Sequence, residues 1–170
     1  ALFVKSTKTF EHNGVEYEIV KFCDSKPCLI TYNTKIPVIY QDKKADYNFY
    51  LRNDPRKLAE EVPFNGRMEL AENVVINSTG DFSCDGDGII AMGNLVNLFT
   101  VSGINAIRDS NASCDAQGRY GFINLQEGNV TSVEKVGPVC YNIHIHNCET
   151  IKALERFMIE DFEKIKELSG

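Results

Sequence analysis

The chain has 170 residues, 43% of them hydrophobic and 25% charged, which suits one globular domain with its own core and excludes a disordered polymer. Its net charge is −6, and Lys43-Lys44 and Arg56-Lys57 are the densest basic pairs, so nothing resembles the Lys/Arg cluster that a nucleic-acid partner requires. No run reaches the ~18 apolar residues of a membrane span.

Six cysteines are present, none in a C-x-x-C pair, which argues against a zinc ribbon or a thioredoxin-type site. Three N-x-S/T triplets, at Asn77, Asn111 and Asn129, fall at expected strand ends or loops where a glycan fits. Together the even cysteine count and these triplets point to an oxidising, extracellular or cell-surface setting and a glycosylated protein. Ala1 in place of Met fits a processed secreted protein and equally a trimmed chain.

In chain order, Ala1 to Phe10 is an apolar segment that needs a partner surface. It is expected as a strand or tail separate from a single globular domain over 11–170. It has three readings: an ordinary first strand, a strand inserted into a neighbouring subunit, or the stub of a membrane anchor. His12-Asn13-Gly14 reads as a hairpin turn. Strands are expected at Val15 to Phe22, Leu29 to Tyr32, Ile36 to Tyr40 and Asp46 to Leu51, with Pro37 marking an edge, so the first third is a β meander. Asp54-Pro55 caps and opens a short helix to about Glu61, and Met68 to Leu70 is a candidate strand.

Val74 to Asp109 is the organising stretch, a βαβ unit. A β-branched strand leads through Cys84-Asp85-Gly86-Asp87-Gly88 into a helix whose apolar residues fall at Ile89, Met92, Val96 and Phe99, widened by Ile90 and Leu95. Asp87 is the expected cap, Gly103 the expected stop, and Ile104 to Asp109 the second strand. Tyr120 to Gln126 is another strand and Glu127 to Pro138 a long connection. Tyr141 to Asn147 alternates strictly, with Tyr141, Ile143 and Ile145 on one face and Asn142, His144 and His146 on the other. A final helix carries the stripe Ile151, Leu154, Met158, Phe162, Ile165 and Leu168, with Glu160 and Lys164 one turn apart on its charged face. The fold class is therefore α/β or α+β: a mixed sheet, a β-rich first third, helices at ~88–100 and ~149–168, and disulfide staples.

Phe49-Tyr50-Leu51-Arg52-Asn53-Asp54-Pro55-Arg56-Lys57-Leu58, then Cys84 to Ala91, then Arg156-Phe157-Met158, resemble a family of uncharacterised archaeal proteins that look like extracytoplasmic domains behind an N-terminal hydrophobic segment. The resemblance spans most of the chain and implies a cell-surface location. It carries no activity and no catalytic residues.

The cysteines allow some pairings and forbid one. Cys23 and Cys28 are close enough across their loop. If Tyr141 to Asn147 is one extended strand, Cys140 and Cys148 stand about 26 Å apart and cannot pair. Cys84 is expected to pair with Cys114 or Cys148, since all three fall near carboxyl ends of strands, which leaves Cys140 without an assigned partner.

Asp85-Gly86-Asp87-Gly88 resembles part of a calcium loop, but Val96 stands where an EF-hand needs its twelfth-position Glu. A different calcium site from Asp81, Asp85 and Asp87 stays open against the plainer reading of a capped helix start; no other cofactor is indicated. The Rossmann and P-loop spacings are absent, and the aspartates there would repel phosphate. His144 and His146 supply two potential metal ligands without an evident third. No G-x-S-x-G or H-E-x-x-H motif occurs.

These features point away from an enzyme. The leading expectation is an extracellular structural glycoprotein, a pilus-like filament subunit that self-associates into a homopolymer. Its N-terminal donor strand, with Leu2, Phe3, Val4 and Phe10, would extend the sheet of the next copy. The alternative is an extracytoplasmic module, membrane-anchored through an N-terminal segment, that binds calcium or a small ligand at the Cys84 to Gly88 loop. A hydrolase ranks third.

Overall fold

A computed structural model describes residues 4–24 and 26–169 of the chain. It is an α+β fold of two sheets, three helices and three disulfides.

The first sheet is an antiparallel meander of β1 (Val4–His12), β2 (Val15–Phe22), β3 (Leu29–Tyr40) and β4 (Lys43–Leu51). Asn13 and Gly14 take positive φ values of 50° and 83°, the geometry a two-residue hairpin requires. Gln41 and Asp42 do the same at 50° and 63° without a glycine, a turn that residue preference does not announce. The two segments expected at Leu29 to Tyr32 and Ile36 to Tyr40 are one continuous strand. Its pairing with β2 ends at Asn33, so Pro37 lies where β4 is the only neighbour and a missing N–H is tolerated.

β1 pairs with β2 from Val4 opposite Phe22 to His12 opposite Val15. A boundary at residue 10 falls inside this strand, and the described part of the 1–10 segment pairs with β2. Phe10 stacks on Tyr17 with ring centroids 5.4 Å apart, and the Arg56 guanidinium lies 3.8 Å from the same ring. Val4 and Phe10 thus belong to the chain's own sheet. Leu2 and Phe3 lie outside the described residues.

The second sheet holds β5 (Phe64–Asn65), β6 (Asn73–Ser78), β7 (Asn105–Arg108), β8 (Gly121–Glu127), β9 (Ser132–Gly137) and β10 (Cys140–Ile145), in the order β5-β9-β10-β8-β6-β7. β7, β6, β8 and β10 run parallel, and β9 is antiparallel to β10. Met68 to Leu70 forms no strand, although Met68 is buried. The connection expected from Glu127 to Pro138 contains β9, whose inward-facing Val133 is fully buried.

Helix α1 (Pro55–Glu61) opens as expected, with Asp54 accepting the Arg56 N–H at 2.9 Å. Helix α2 (Asp87–Val101) is the crossover between β6 and β7, which completes the βαβ unit. Its cap is Gly86 at φ 100°, not Asp87, which already sits inside the first turn. The buried stripe is Gly88, Ala91, Leu95, Leu98 and Phe99, whereas Ile89 and Ile90 are 66% and 51% exposed. Gly88 sets this rotation. It lies against the Phe82–Ser83 backbone, where a β-carbon would overlap the Phe82 carbonyl.

Helix α3 (Thr150–Ser169) packs between the sheets, touching β2 and β3 on one side and β9 and β10 on the other. Phe162 meets Phe49 of the meander at 5.5 Å, and Phe157 meets Tyr141 of the second sheet at 5.5 Å. A helix covered on two sides buries more than its apolar stripe. Glu155, Arg156 and Asp161 are buried as well, while Leu168 at the far end is exposed. Arg156 donates from Nε to the Val62 carbonyl at 2.8 Å and pairs with Glu160 at 2.7 Å, so Glu160 turns to Arg156 and not to Lys164. The Glu155 carboxylate accepts from the backbone N–H groups of Arg52 (2.8 Å) and Asn53 (3.0 Å) and from Asn53 Nδ2 (2.8 Å).

The disulfides are Cys23–Cys28, Cys84–Cys148 and Cys114–Cys140, with Cα separations of 4.4, 5.9 and 5.8 Å. They close loops of 5, 64 and 26 residues, for which chain entropy gives about 2, 4 and 3.5 kcal/mol. Cys114 is not at a carboxyl strand end. Its loop runs back to the start of β10, where Gly137 leaves room for the sulfur. Cys140, unassigned in the sequence, is its partner.

Glu155→Ala would strip the acceptor from three donors at the β4–α1 turn. It should lower the unfolding free energy by about 3 kcal/mol, read from urea denaturation, while Glu155→Gln should lose less than half of that.

The underside of the meander generates a second expectation. Burial, reinforced by Glu160, pushes the Glu163 carboxyl up to about 7, with the Asn13 amide and Arg156 acting in the opposite sense. Burial and Glu160 also hold Asp161 well above the usual carboxylate range. Acids with raised folded-state values favour the folded chain at low pH. For Glu163, that contribution is lost as pH rises from about 4.5 to about 7. The thermal midpoint should therefore be higher at about pH 5 than at about pH 8, and Glu163→Gln should shrink the difference.

Candidate functional site

The parallel strands of the second sheet place a cleft at their carboxyl ends. From β6 the chain crosses through α2 to β7 on one side, and β8 returns on the other side of β6. Strand order reverses there, and open α/β sheets part at such a point to leave a crevice. The cavity measures about 860 Å³. Its wall comes from the ends of β6 (Ile76 to Ser78) and β8 (Leu125), the end of β7 and the residues after it (Arg108 to Ser110), the 80–83 loop and the first turns of α2.

The loop side is tied down at several points. Ser78 Oγ donates to the Gly80 carbonyl (2.6 Å), the Thr79 N–H donates to the Leu125 carbonyl (2.9 Å), and Asp81 accepts the Ser83 N–H (3.0 Å). Thr150 Oγ donates to the Phe82 carbonyl (3.0 Å), and Cys84–Cys148 fastens the loop to the start of α3. The hydrogen bonds from Ser83 hold the Asp81 carboxyl below its usual range, so it is charged near neutrality. Phe82, Met92, Val96, Ile76 and Leu125 supply apolar surface, while Asn77, Asp81, Arg108 and Asp109 supply polar groups. Among the described residues, Arg108 has no carboxylate within ion-pair distance.

Asp81, Asp85 and Asp87 do not form an ion cage. Asp81 is engaged by Ser83, Asp87 faces Arg52 at 3.8 Å, and Asp85 is exposed on the intervening turn. Among the described residues, no three His, Cys, Asp or Glu side chains are grouped to hold a metal.

The histidines also stand apart. His146 Nδ1 meets the Gly128 carbonyl at 3.2 Å, and His12 contacts Asn13. His144 belongs to a chain of hydrogen bonds across the outer face of the second sheet. Asn77 Nδ2 donates to Asn124 (3.2 Å), and Asn124 Nδ2 donates to Gln126 (3.1 Å). Gln126 Nε2 faces His144 Nδ1 (3.2 Å), and His144 Nε2 meets Glu134 (3.3 Å). Ser132 sits opposite His144 in the β9–β10 register. The two imidazole nitrogens of His144 face Gln126 and Glu134, and no hydrogen bond joins either to Ser132 among the described residues. The alternation of Asn142, His144 and His146 is legible in the sequence, but the joining of His144 to Asn77, Asn124 and Gln126 needs the strand order.

Of the three glycosylation triplets, Asn111 and Asn129 are exposed, and Asn77 is half-buried in β6 with its amide bonded to Asn124. A larger apolar groove, about 1130 Å³, lies between the outer end of the β3–β4 hairpin, the 70–72 segment and the ends of α2 and α3. Ile39 and Leu168 stand exposed along it.

No protein-family model, no curated protein and no solved structure matches this chain. No helix among the described residues is long and apolar enough to cross a membrane. Three disulfides that use all six cysteines suit an oxidising compartment.

Proposed function

We propose that this chain is a non-enzymatic, extracellular binding domain that takes a small ligand in the cleft at the carboxyl ends of β6, β7 and β8. The cleft itself carries the reading. Its position is the one at which open α/β sheets hold ligands, and its volume is in the usual range for small-molecule sites. A fixed loop, an apolar floor and a few polar groups at the rim suit recognition. None of the three histidines lines the cleft, which suits a binding role for it. Disulfides throughout the domain support a location outside the cell, and tethering through an upstream hydrophobic segment is part of this proposal.

Gly93 offers the test. It lines the cleft from α2, and a β-carbon there meets nothing within 4 Å. Gly93→Ala should stabilise the helix by roughly 0.5–1 kcal/mol. Gly93→Leu should leave the fold intact while filling the cleft. Screening amino acids, sugars, carboxylates and nucleotides by thermal shift should yield a compound that raises the midpoint of the wild type and not of Gly93→Leu. Equal shifts in both proteins, or no shift with any class, would remove the cleft from consideration.

The apolar groove favours a second reading, a subunit of a cell-surface assembly. The donor-strand form of that reading would require β1 to leave β2, so the groove is the better contact. Sedimentation should then show a concentration-dependent oligomer that Ile39→Glu abolishes; a monomer at every concentration would exclude it.

A further inference from the structure

The three glycosylation triplets are equivalent in sequence and unequal in the fold. N-glycosylation joins the Asn amide nitrogen to the anomeric carbon of a lipid-linked oligosaccharide. The bond from that carbon to the pyrophosphate oxygen breaks, the amide loses one proton, and the lipid pyrophosphate leaves. The transferase must therefore reach the amide nitrogen and, for recognition, the hydroxyl two residues on.

At the first triplet both groups are engaged. Asn77 Nδ2 donates to Asn124 at 3.2 Å, and Thr79 Oγ donates to the Leu125 carbonyl at 3.2 Å. At the third, Asn129 is exposed but its hydroxyl partner is not. Thr131 is 6% exposed, donates to Glu149 at 2.8 Å and accepts the His146 N–H at 3.1 Å. The middle triplet differs. Asn111 and Ser113 are exposed, and neither side chain has a hydrogen-bond partner among the described residues. The turn that presents them is held by its backbone, through the Asn111 N–H to Asp109 at 2.9 Å and the Tyr120 hydroxyl to the Ser113 carbonyl at 2.8 Å. Cys114–Cys140 anchors the following residue.

We propose that Asn111 is the one site among the three at which the folded, oxidised protein accepts an N-linked glycan. This inference is independent of the cleft reading. It places the sugar next to Ser110, at the rim of the cleft, and keeps Asn77, which lines the cleft, bare.

The purified folded protein would be incubated with a single-subunit oligosaccharyltransferase and a lipid-linked oligosaccharide, and occupancy mapped by peptide mass spectrometry. A reduced, denatured sample, with every triplet accessible, would run alongside. The expected result is modification of Asn111 alone in the folded protein, lost in Asn111→Gln, with Asn129 or Asn77 modified as well in the denatured chain. A folded protein modified at Asn77 or Asn129, or one left bare at Asn111, would overturn the proposal.

Discussion

Everything in this fold depends on one helix being wanted by two sheets. Each sheet turns an apolar inner face toward α3, and the second sheet carries a smaller buried cluster of Val75, Phe122 and Cys140 on its other face. A helix in that position cannot keep a fully polar side. Glu155, Arg156 and Asp161 are carried inward with Leu154, Phe157 and Phe162, and each must find a partner or lose its charge. Glu155 finds its partners in the N–H groups of the turn that leads from the meander into α1. Arg156 finds the carbonyl that ends α1. Asp161 has no hydrogen-bond partner among the described residues, and burial with the nearby Glu160 holds its carboxyl well above the usual range. The polar groups of α3 thus fix where the α1 connection crosses the helix, while its apolar groups supply most of the adhesion.

The same constraint shapes the cleft. With α2 and α3 both on the inner face of the second sheet, the return from β7 to β8 has no helix and passes over the outer face as a loop. A right-handed connection in each direction demands this arrangement. The carboxyl ends of β6 and β8 are left uncovered between the two crossings. Gly88 lets α2 approach the 82–83 backbone, and Cys84–Cys148 ties that loop to the start of α3. The opening is therefore bounded by elements that the core already holds in place.

How much of this was legible depends on how local each cause is. The alternation of Tyr141, Ile143 and Ile145 matches the buried face of β10 because a strand with one core-facing side writes its pattern directly. The caps at Asp54 and Gly103 follow from chemistry within a few residues. The rotation of α2 did not, because Ile89 and Ile90 look like core, while the true contact is made by a glycine with no hydrophobic signal. β9 offered little more than Val133 and Val136, too sparse to read as a strand beside polar neighbours. The burial of Glu155 and Asp161 was hidden because a stripe of apolar residues on α3 implies one partner surface, not two. Cys140 could be separated from Cys148 by strand length alone, but joining it to Cys114 required knowing that the β7–β8 loop turns back over the sheet. The same missing strand order hid the amide chain from Asn77 to His144.

The edges of the meander bear on how copies of this chain meet. β1 and β4 are both terminal strands with free backbone groups on one side, an arrangement prone to edge pairing. Lys8 on β1 and Lys43 and Lys44 on β4 are exposed. Edge lysines are costly to bury against another strand, so sheet-to-sheet extension is disfavoured on both sides. The groove is apolar along Val38, Leu70, Ile104 and Ile165, and Lys44, Asp46, Glu72 and Lys166 are also in its lining. Pairing through the groove, as proposed above, would leave Lys8 of β1 and Lys43 of β4 in solvent. β1 then remains a strand of its own sheet, held by Phe10 between Tyr17 and Arg56.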